Sequence, residues 1–288
     1  MVTATAQDTA HEALENGSAW YLVARCDALK RGKQIRRILA GKPVLIGRRS
    51  EGDVFAMRDV CPHRLVPLSA GRQVETEGET TVECPYHGWR FGTDGVCRLI
   101  PSLMEDDPYK ASSFKVARYS VMECAGGLFV AEAPEASRST MTFADRLGAP
   151  RLWVSEPLTL PENTTSADLI DHAPLVSGFG WAAEPSGWTP ASLAARRFSD
   201  RPAQLERASY GDGVLHERLT AGAHHLDLLL ALTPEGPARM AGHLLIWWRA
   251  PATFALGTMD LRMGARSYLR SLQAGLSPEN STEISTGA

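Results

Sequence analysis

No apolar run in this 288-residue chain is long enough to cross a bilayer: the most apolar stretches, Leu226–Leu232 and Leu244–Trp248, fall far short of the ~20 residues a spanning helix needs. Neither sign of charge dominates, with 30 Lys and Arg against 33 Asp and Glu and a net charge of −3, so there is no basic footprint for nucleic acid. The opening stretch, MVTATAQDTAHEALENGSAW, lacks the basic and apolar regions of a secretory signal. Cysteine is scarce and odd in number, at five, and Cys26, Cys97 and Cys124 show no framework spacing. That argues against a secreted disulfide scaffold and for a reducing, cytoplasmic setting. Glycine-rich phosphate loops of the G-x-G-x-x-G or G-x-x-x-x-G-K type are missing, as are internal repeats. At 44% hydrophobic and 22% charged residues, the chain has enough apolar material for one large domain or two ordinary ones.

What stands out is Cys61–Arg90, CPHRLVPLSAGRQVETEGETTVECPYHGWR, with a Cys-x-His pair and a Cys-x-x-His pair separated by twenty residues. Thiolate and imidazole are the soft and borderline donors that hold iron or zinc. Two pairs on two loops supply four ligands for one compact centre. The mixed set suits a [2Fe–2S] cluster in which two imidazoles replace two thiolates on one iron. Structural zinc also takes two Cys and two His, but usually keeps Cys with Cys and His with His.

Around these pairs the texture is β-rich. Trp20–Ala24, Pro43–Gly47 and Val54–Met57 read as strands, with Asp59 and Val60 leading into Cys61. Val74–Thr80 reads as a hairpin with Gly78 at its tip, Thr81–Glu83 as the strand delivering Cys84, and Phe91–Gly95 as a tight turn. Tyr119–Val130 closes the set as a hairpin around Gly126-Gly127. This makes residues 19–130 a small all-β domain and 131–276 a second, mixed domain, with a linker at 131–140 and flexible tails at 1–18 and 277–288. In the second domain a short helix is expected within 166–178, bounded by Pro174, and another at 192–198. Strands are expected at 204–210, 214–220, 225–232, 241–249 and 254–262, and a last helix at 265–273. His216, His224, His225 and His243 fall on or beside these strands, where a lone histidine is usually solvated or satisfied.

The two ligand pairs and their neighbours resemble the Rieske iron–sulfur domain. The resemblance implies that Cys61 and Cys84 hold one iron and His63 and His87 the other. Val66 and Tyr86 stand where respiratory-chain Rieske proteins carry a disulfide, so that form is excluded. Tyr86–Phe91 and Pro67–Arg72 are similar instead to the Rieske non-heme iron oxygenases of the vanillate and dicamba demethylase branch. The fold this implies is α+β: an N-terminal all-β Rieske [2Fe–2S] domain, then a shortened α+β domain with a helix-grip-like antiparallel sheet.

Residues 161–178, PENTTSADLIDHAPLVSG, resemble that family's stretch around a mononuclear Fe(II), with Asn163, Asp168 and His172 matching. By the resemblance His172 is an iron ligand, Asp168 and Asp171 flank the place of the carboxylate that bridges cluster and iron, and Asp260 is the best-placed third ligand. The chain departs from the pattern at two positions: Ser177 replaces the second histidine, and Leu169 occupies the bridging acid's own position. The implied activity is hydroxylation or oxidative demethylation of a small organic, aromatic substrate by O₂. Electrons would come from a separate NAD(P)H-dependent reductase, directly or through a ferredoxin, and the assembly would be a homotrimer. The alternative is an electron-transfer or assembly subunit with a degenerate oxygenase domain. A zinc-stabilised binding module is the third reading.

Overall fold

The computed structural model describes residues 19–133, 136, 146–161, 164–171, 204–210, 213–221, 224–249 and 258–275. The chain divides into two compact units, one within His11–Ser139 and one within Thr140–Ala288.

The first unit is all-β, as expected. β1 (Trp20–Arg25), β2 (Lys33–Leu39), β3 (Lys42–Arg48), β4 (Val54–Arg58), β9 (Arg118–Cys124) and β10 (Gly127–Ala131) form a sheet in the order β1-β10-β9-β4-β3-β2. A second sheet runs β5 (Arg72–Thr76), β6 (Glu79–Glu83), β7 (Arg90–Gly92), β8 (Cys97–Leu99). The β5–β6 hairpin turns on Glu77 and Gly78, both at positive φ (52° and 80°), the backbone twist that suits a two-residue hairpin. The β9–β10 hairpin turns on Ala125-Gly126, one residue earlier than the sequence suggests, and Gly127 is already in the strand. Leu45, Met57, Leu68, Val82, Trp89, Phe91 and Ile100 are buried together, and Cys61 and Cys84 belong to the same cluster.

The second unit is an antiparallel sheet in the order β11-β15-β14-β13-β12, formed by β11 (Leu152–Thr159), β12 (Gln204–Tyr210), β13 (Val214–Ala221), β14 (His224–Gly236) and β15 (Arg239–Arg249). Two helices pack on one face: α1 (Ser166–Asp171) through Leu169 and Ile170, and α2 (Thr258–Gly275) through Ala265, Tyr268 and Leu269. Leu228, Leu230, Leu232, Leu244 and Ile246 supply that face by alternation, each buried leucine contributing roughly 1.5–3 kcal/mol.

Three differences from the sequence expectations have physical causes. Residues 258–262 are helical rather than extended, because the buried Ala265, Tyr268 and Leu269 and the partly buried Leu272 recur at helical spacing and continue one long helix. β14 runs on to Gly236 through most of Pro234-Glu-Gly-Pro237, which reads as a turn in the sequence; Pro234 sits at a register shift that tolerates its missing N–H. β11 has no clear strand signal in the sequence because Pro157 interrupts an otherwise alternating strand. The expected helix at 192–198, the two tails, and Asn163, His172, Pro174 and Ser177 lie outside the described residues. No described helix is long and apolar enough to cross a membrane.

Candidate metal centre

The first ligand loop leaves β4, the second joins β6 to β7, and both close in the same way. The Cys61 N–H donates to the Val66 carbonyl at 2.9 Å and the Leu65 N–H to the Cys61 carbonyl at 2.9 Å. In the second loop the Cys84 N–H donates to the Trp89 carbonyl at 2.7 Å and the Gly88 N–H to the Cys84 carbonyl at 3.1 Å. Leu65 and Gly88 thus occupy equivalent places, and both have left-handed backbones, with φ of 59° and 70°. Glycine adopts that conformation freely, whereas leucine is strained in it. Leu65 is 72% exposed, so its side chain packs little in return. Leu65→Gly is therefore expected to stabilise the first unit by on the order of 0.5–1 kcal/mol. A thermal midpoint that falls instead would refute the equivalence of the two loops.

The four donors separate into two pairs. Cys61 and Cys84 are 2% and 3% exposed, set in the apolar cluster, whereas His63 and His87 are exposed. The two imidazoles converge through Nδ1 atoms 3.1 Å apart. The His63 ring stacks on buried Trp89 at 4.9 Å and 7°, and Trp89 in turn meets Phe114 edge-on at 5.0 Å. Tyr86 lies against His87 with ring centroids 3.9 Å apart. Burial pushes the Cys61 thiol up to about 11; the His63 backbone N–H works against this and the Cys84 sulfur adds to it. A cation is thus needed to make the thiolate stable there. Desolvation, then the neighbouring His87 and Arg64, lowers His63 from its ordinary value and favours the neutral, ligating imidazole.

Among the described residues no group of three His, Cys, Asp or Glu is placed to hold one metal ion. A buried sulfur pair beside an exposed imidazole pair fits a two-iron centre with mixed ligands and does not fit a tetrahedral zinc cage.

Sequence reasoning missed the supports of this centre. Asp59, 1% exposed, accepts from the Ser69 N–H and the Ser69 hydroxyl, both at 2.6 Å, and so ties the two ends of the first loop together. Glu83, next to Cys84, is held below the usual carboxylate range: burial opposes this, but Arg90 and Arg72 hydrogen-bond its two oxygens and prevail. An acid two residues before the first cysteine and another one before the second are the only local signals of either.

In the second unit, Asp168 is exposed on α1 and forms a reciprocal cap with Thr165. Its Oδ2 accepts from the Thr165 N–H at 2.8 Å and the Thr165 hydroxyl at 2.7 Å, while its own N–H donates to Thr165 Oγ1 at 3.2 Å. Leu169, where the sequence resemblance expects the bridging acid, is buried in the core. Asp171 and Asp260 lie in α1 and α2, their side chains outside the described residues. Of the strand histidines, the described ones do not gather beneath α1, and the His224 side chain lies outside the described residues. His216, His225 and His243 alternate away from the helix-bearing face. His216 bonds Asp227 at 2.9 Å and His243 bonds Ser155 at 2.7 Å, while His225 Nδ1 lies 3.5 Å from Thr220 Oγ1. Burial would raise Asp227, but hydrogen bonds from His216 and Arg218 hold it below its ordinary value.

Comparison with known proteins bears on both units. The family profile of the Rieske [2Fe-2S] domain matches residues 19–119. The 3-chlorobenzoate-3,4-dioxygenase oxygenase subunit of Comamonas testosteroni is 38% identical over 132 residues, 46% of this chain and 27% of that protein. A putative toluene-4-sulfonate monooxygenase system iron-sulfur subunit, TsaM2, from the same organism is 25% identical over 84% of this chain and 66% of its own length. These matches thus span less than two thirds of either relative. The crystal structure of apo dicamba monooxygenase has the same fold, with a TM-score of 0.63 at 20% identity, covering 93% of this chain and 88% of that one.

Proposed function

We propose that this chain, which carries a Rieske [2Fe–2S] domain on the fold of the Rieske non-heme iron oxygenase alpha subunits, is the oxygenase component of a system that hydroxylates or oxidatively demethylates a small organic, aromatic substrate with O₂. The observation that carries this is the divided donor set: two buried sulfurs and two exposed imidazoles meeting at Nδ1. In this reading Cys61 and Cys84 hold one iron of the cluster and His63 and His87 the other, and the group supplies one-electron transfer when bound. The chain's residues shield the sulfur side in an apolar core and leave the imidazole edges in solvent, so electrons enter and leave past His63 and His87. They come from a separate NAD(P)H-dependent reductase, with or without a ferredoxin, because the chain has no flavin or nicotinamide fingerprint. A homotrimer in the cytoplasm is the assembly proposed.

The oxygenase names of the relatives, and a second unit built as in a monooxygenase, support the catalytic half of the proposal. There His172 and Asp260 are the proposed donors to a mononuclear Fe(II), which supplies O₂ activation when bound. Asp171 is the proposed link to the cluster, and Asp168, through its cap with Thr165, fixes the start of α1, the helix that carries Asp171. Ser177 favours a second reading, an electron-transfer subunit without catalytic iron. Iron and sulfide analysis of anaerobically purified protein separates the two: about three irons per chain supports the oxygenase, and about two the electron-transfer subunit. If the wild type holds two, Ser177→His is expected to add one, provided the rest of the site survives.

A further inference from the structure

Glu217 is a carboxylate placed in the apolar, helix-bearing face of the second unit. It is 2% exposed, lies between Leu215 and Leu219 on β13, and pairs across to Leu228 on β14. A charge so buried is strongly destabilising unless it is partnered. Directly opposite on β12 is Arg207, whose Nη1 donates to Glu217 Oε1 at 3.0 Å. The same guanidinium reaches off the sheet, and its Nη2 donates to the Ile170 carbonyl at 2.8 Å. Beside the pair, the buried Tyr268 hydroxyl of α2 has no hydrogen-bond partner among the described residues. Burial and then the Glu217 charge push that hydroxyl well above the ordinary phenol range, so it stays neutral there.

Ile170 is the penultimate residue of α1, two before His172. Six residues cannot hold a helix by themselves, so α1 depends on its ties to the rest of the unit. Its first turn is held by the Thr165–Asp168 cap, and its apolar side by Leu169 and Ile170. Its far end is held by Arg207. A planar fork with two divergent nitrogens can serve a carboxylate and a carbonyl at once, which a lysine ammonium cannot do in the same geometry.

We propose that Glu217 and Arg207 are a positioning pair for the α1 end. Glu217 fixes the Arg207 fork, and the fork anchors the C-terminal end of α1 at the Ile170 carbonyl. The anchoring stands on the contacts alone; only its consequence for a metal rests on the oxygenase reading. It places the anchor of α1 on β12, where Arg207 lies 37 residues along the chain from Ile170.

Hydrogen exchange on the full-length, cluster-loaded protein tests this, with iron content and visible absorption measured on the same samples. Arg207→Gln is expected to speed amide exchange across residues 164–171 by about tenfold, the size of one charge-assisted hydrogen bond. Amides of β13 and β14 should change less, the visible absorption should be unchanged, and iron beyond the cluster's two should fall. Arg207→Lys should lie between wild type and Gln. Unchanged exchange in α1, or equal acceleration in α1 and β13, would overturn the proposal. If Arg207→Gln does not fold, Glu217→Gln decides: it frees the fork while keeping the shape, and should speed α1 by a smaller factor, whereas wild-type exchange would refute the pair. A wild-type protein with only two irons would sink the oxygenase reading and leave the exchange result to judge the anchor.

Discussion

Replacing Cys84 with serine is expected to abolish the visible absorption of the purified protein and to lower its iron by about two atoms per chain. The Cys84 sulfur sits 3% exposed in the cluster formed by Leu68, Val82, Trp89 and Phe91, beside the Cys61 sulfur. Serine offers a harder, shorter donor whose hydroxyl is not deprotonated at neutral pH, and burying it without a partner costs about 1–3 kcal/mol besides. Losing one sulfur loses both irons, because the cluster binds as a unit. Cys97→Ser is the matched control. Cys97 is buried in the same core and its thiol donates to the Leu99 carbonyl at 3.4 Å, a bond that serine can keep. That variant should keep its colour. Full absorption and unchanged iron in Cys84→Ser would remove the cluster assignment, and loss of colour in Cys97→Ser would show that core packing alone governs retention.

The candidate donors stand out in the sequence because their chemistry lies in residue type and their spacing in two short loops. Strands were legible where short apolar runs are bounded by turn residues, as in Val54–Met57, or where apolar and polar residues alternate, as at the start of His225–Leu232. Legibility fails where a contact depends on proximity in space. Nothing local announces that Asp59 will reach Ser69, or that Arg207 will reach the Ile170 carbonyl; both bonds exist only once the backbone is folded. The left-handed Leu65 is hidden for the opposite reason. Leucine disfavours that conformation, and only the equivalence of the two loops, with Gly88 in the matching place, makes it intelligible. In the second unit the family-like run Asp168–His172 was visible, but Asp168 is engaged in capping its own helix. An acid found by motif resemblance can therefore be serving the backbone as well as a metal site.

Gly71→Ala is expected to be among the most damaging single substitutions in the first unit, although Gly71 is not at a left-handed φ. Its φ is −88°, a value open to any residue. The obstacle is space: a Cβ there would lie 1.9 Å from the Glu83 carbonyl oxygen and 3.0 Å from its carbon. Both atoms are backbone, so no side-chain rotation relieves the clash. Glu83 cannot retreat easily, because it is paired to Arg72 in the sheet and its carboxylate is held by Arg72 and Arg90. Any retreat also carries Cys84, the next residue, away from Cys61. Overpacking costs typically about 1–3 kcal/mol and more where the backbone must move, so the thermal midpoint should fall by several degrees or more. Iron retention should fall with it. Gly78→Ala separates the two effects. At the β5–β6 turn its Cβ would meet nothing within 4 Å, and the cost is the positive φ of 80° alone, about 1 kcal/mol. That variant should be mildly less stable and fully loaded. A Gly71→Ala protein with the wild-type midpoint and a complete cluster would mean that the two ligand loops are not braced through this contact, and that the geometry joining Cys61 to Cys84 is set elsewhere.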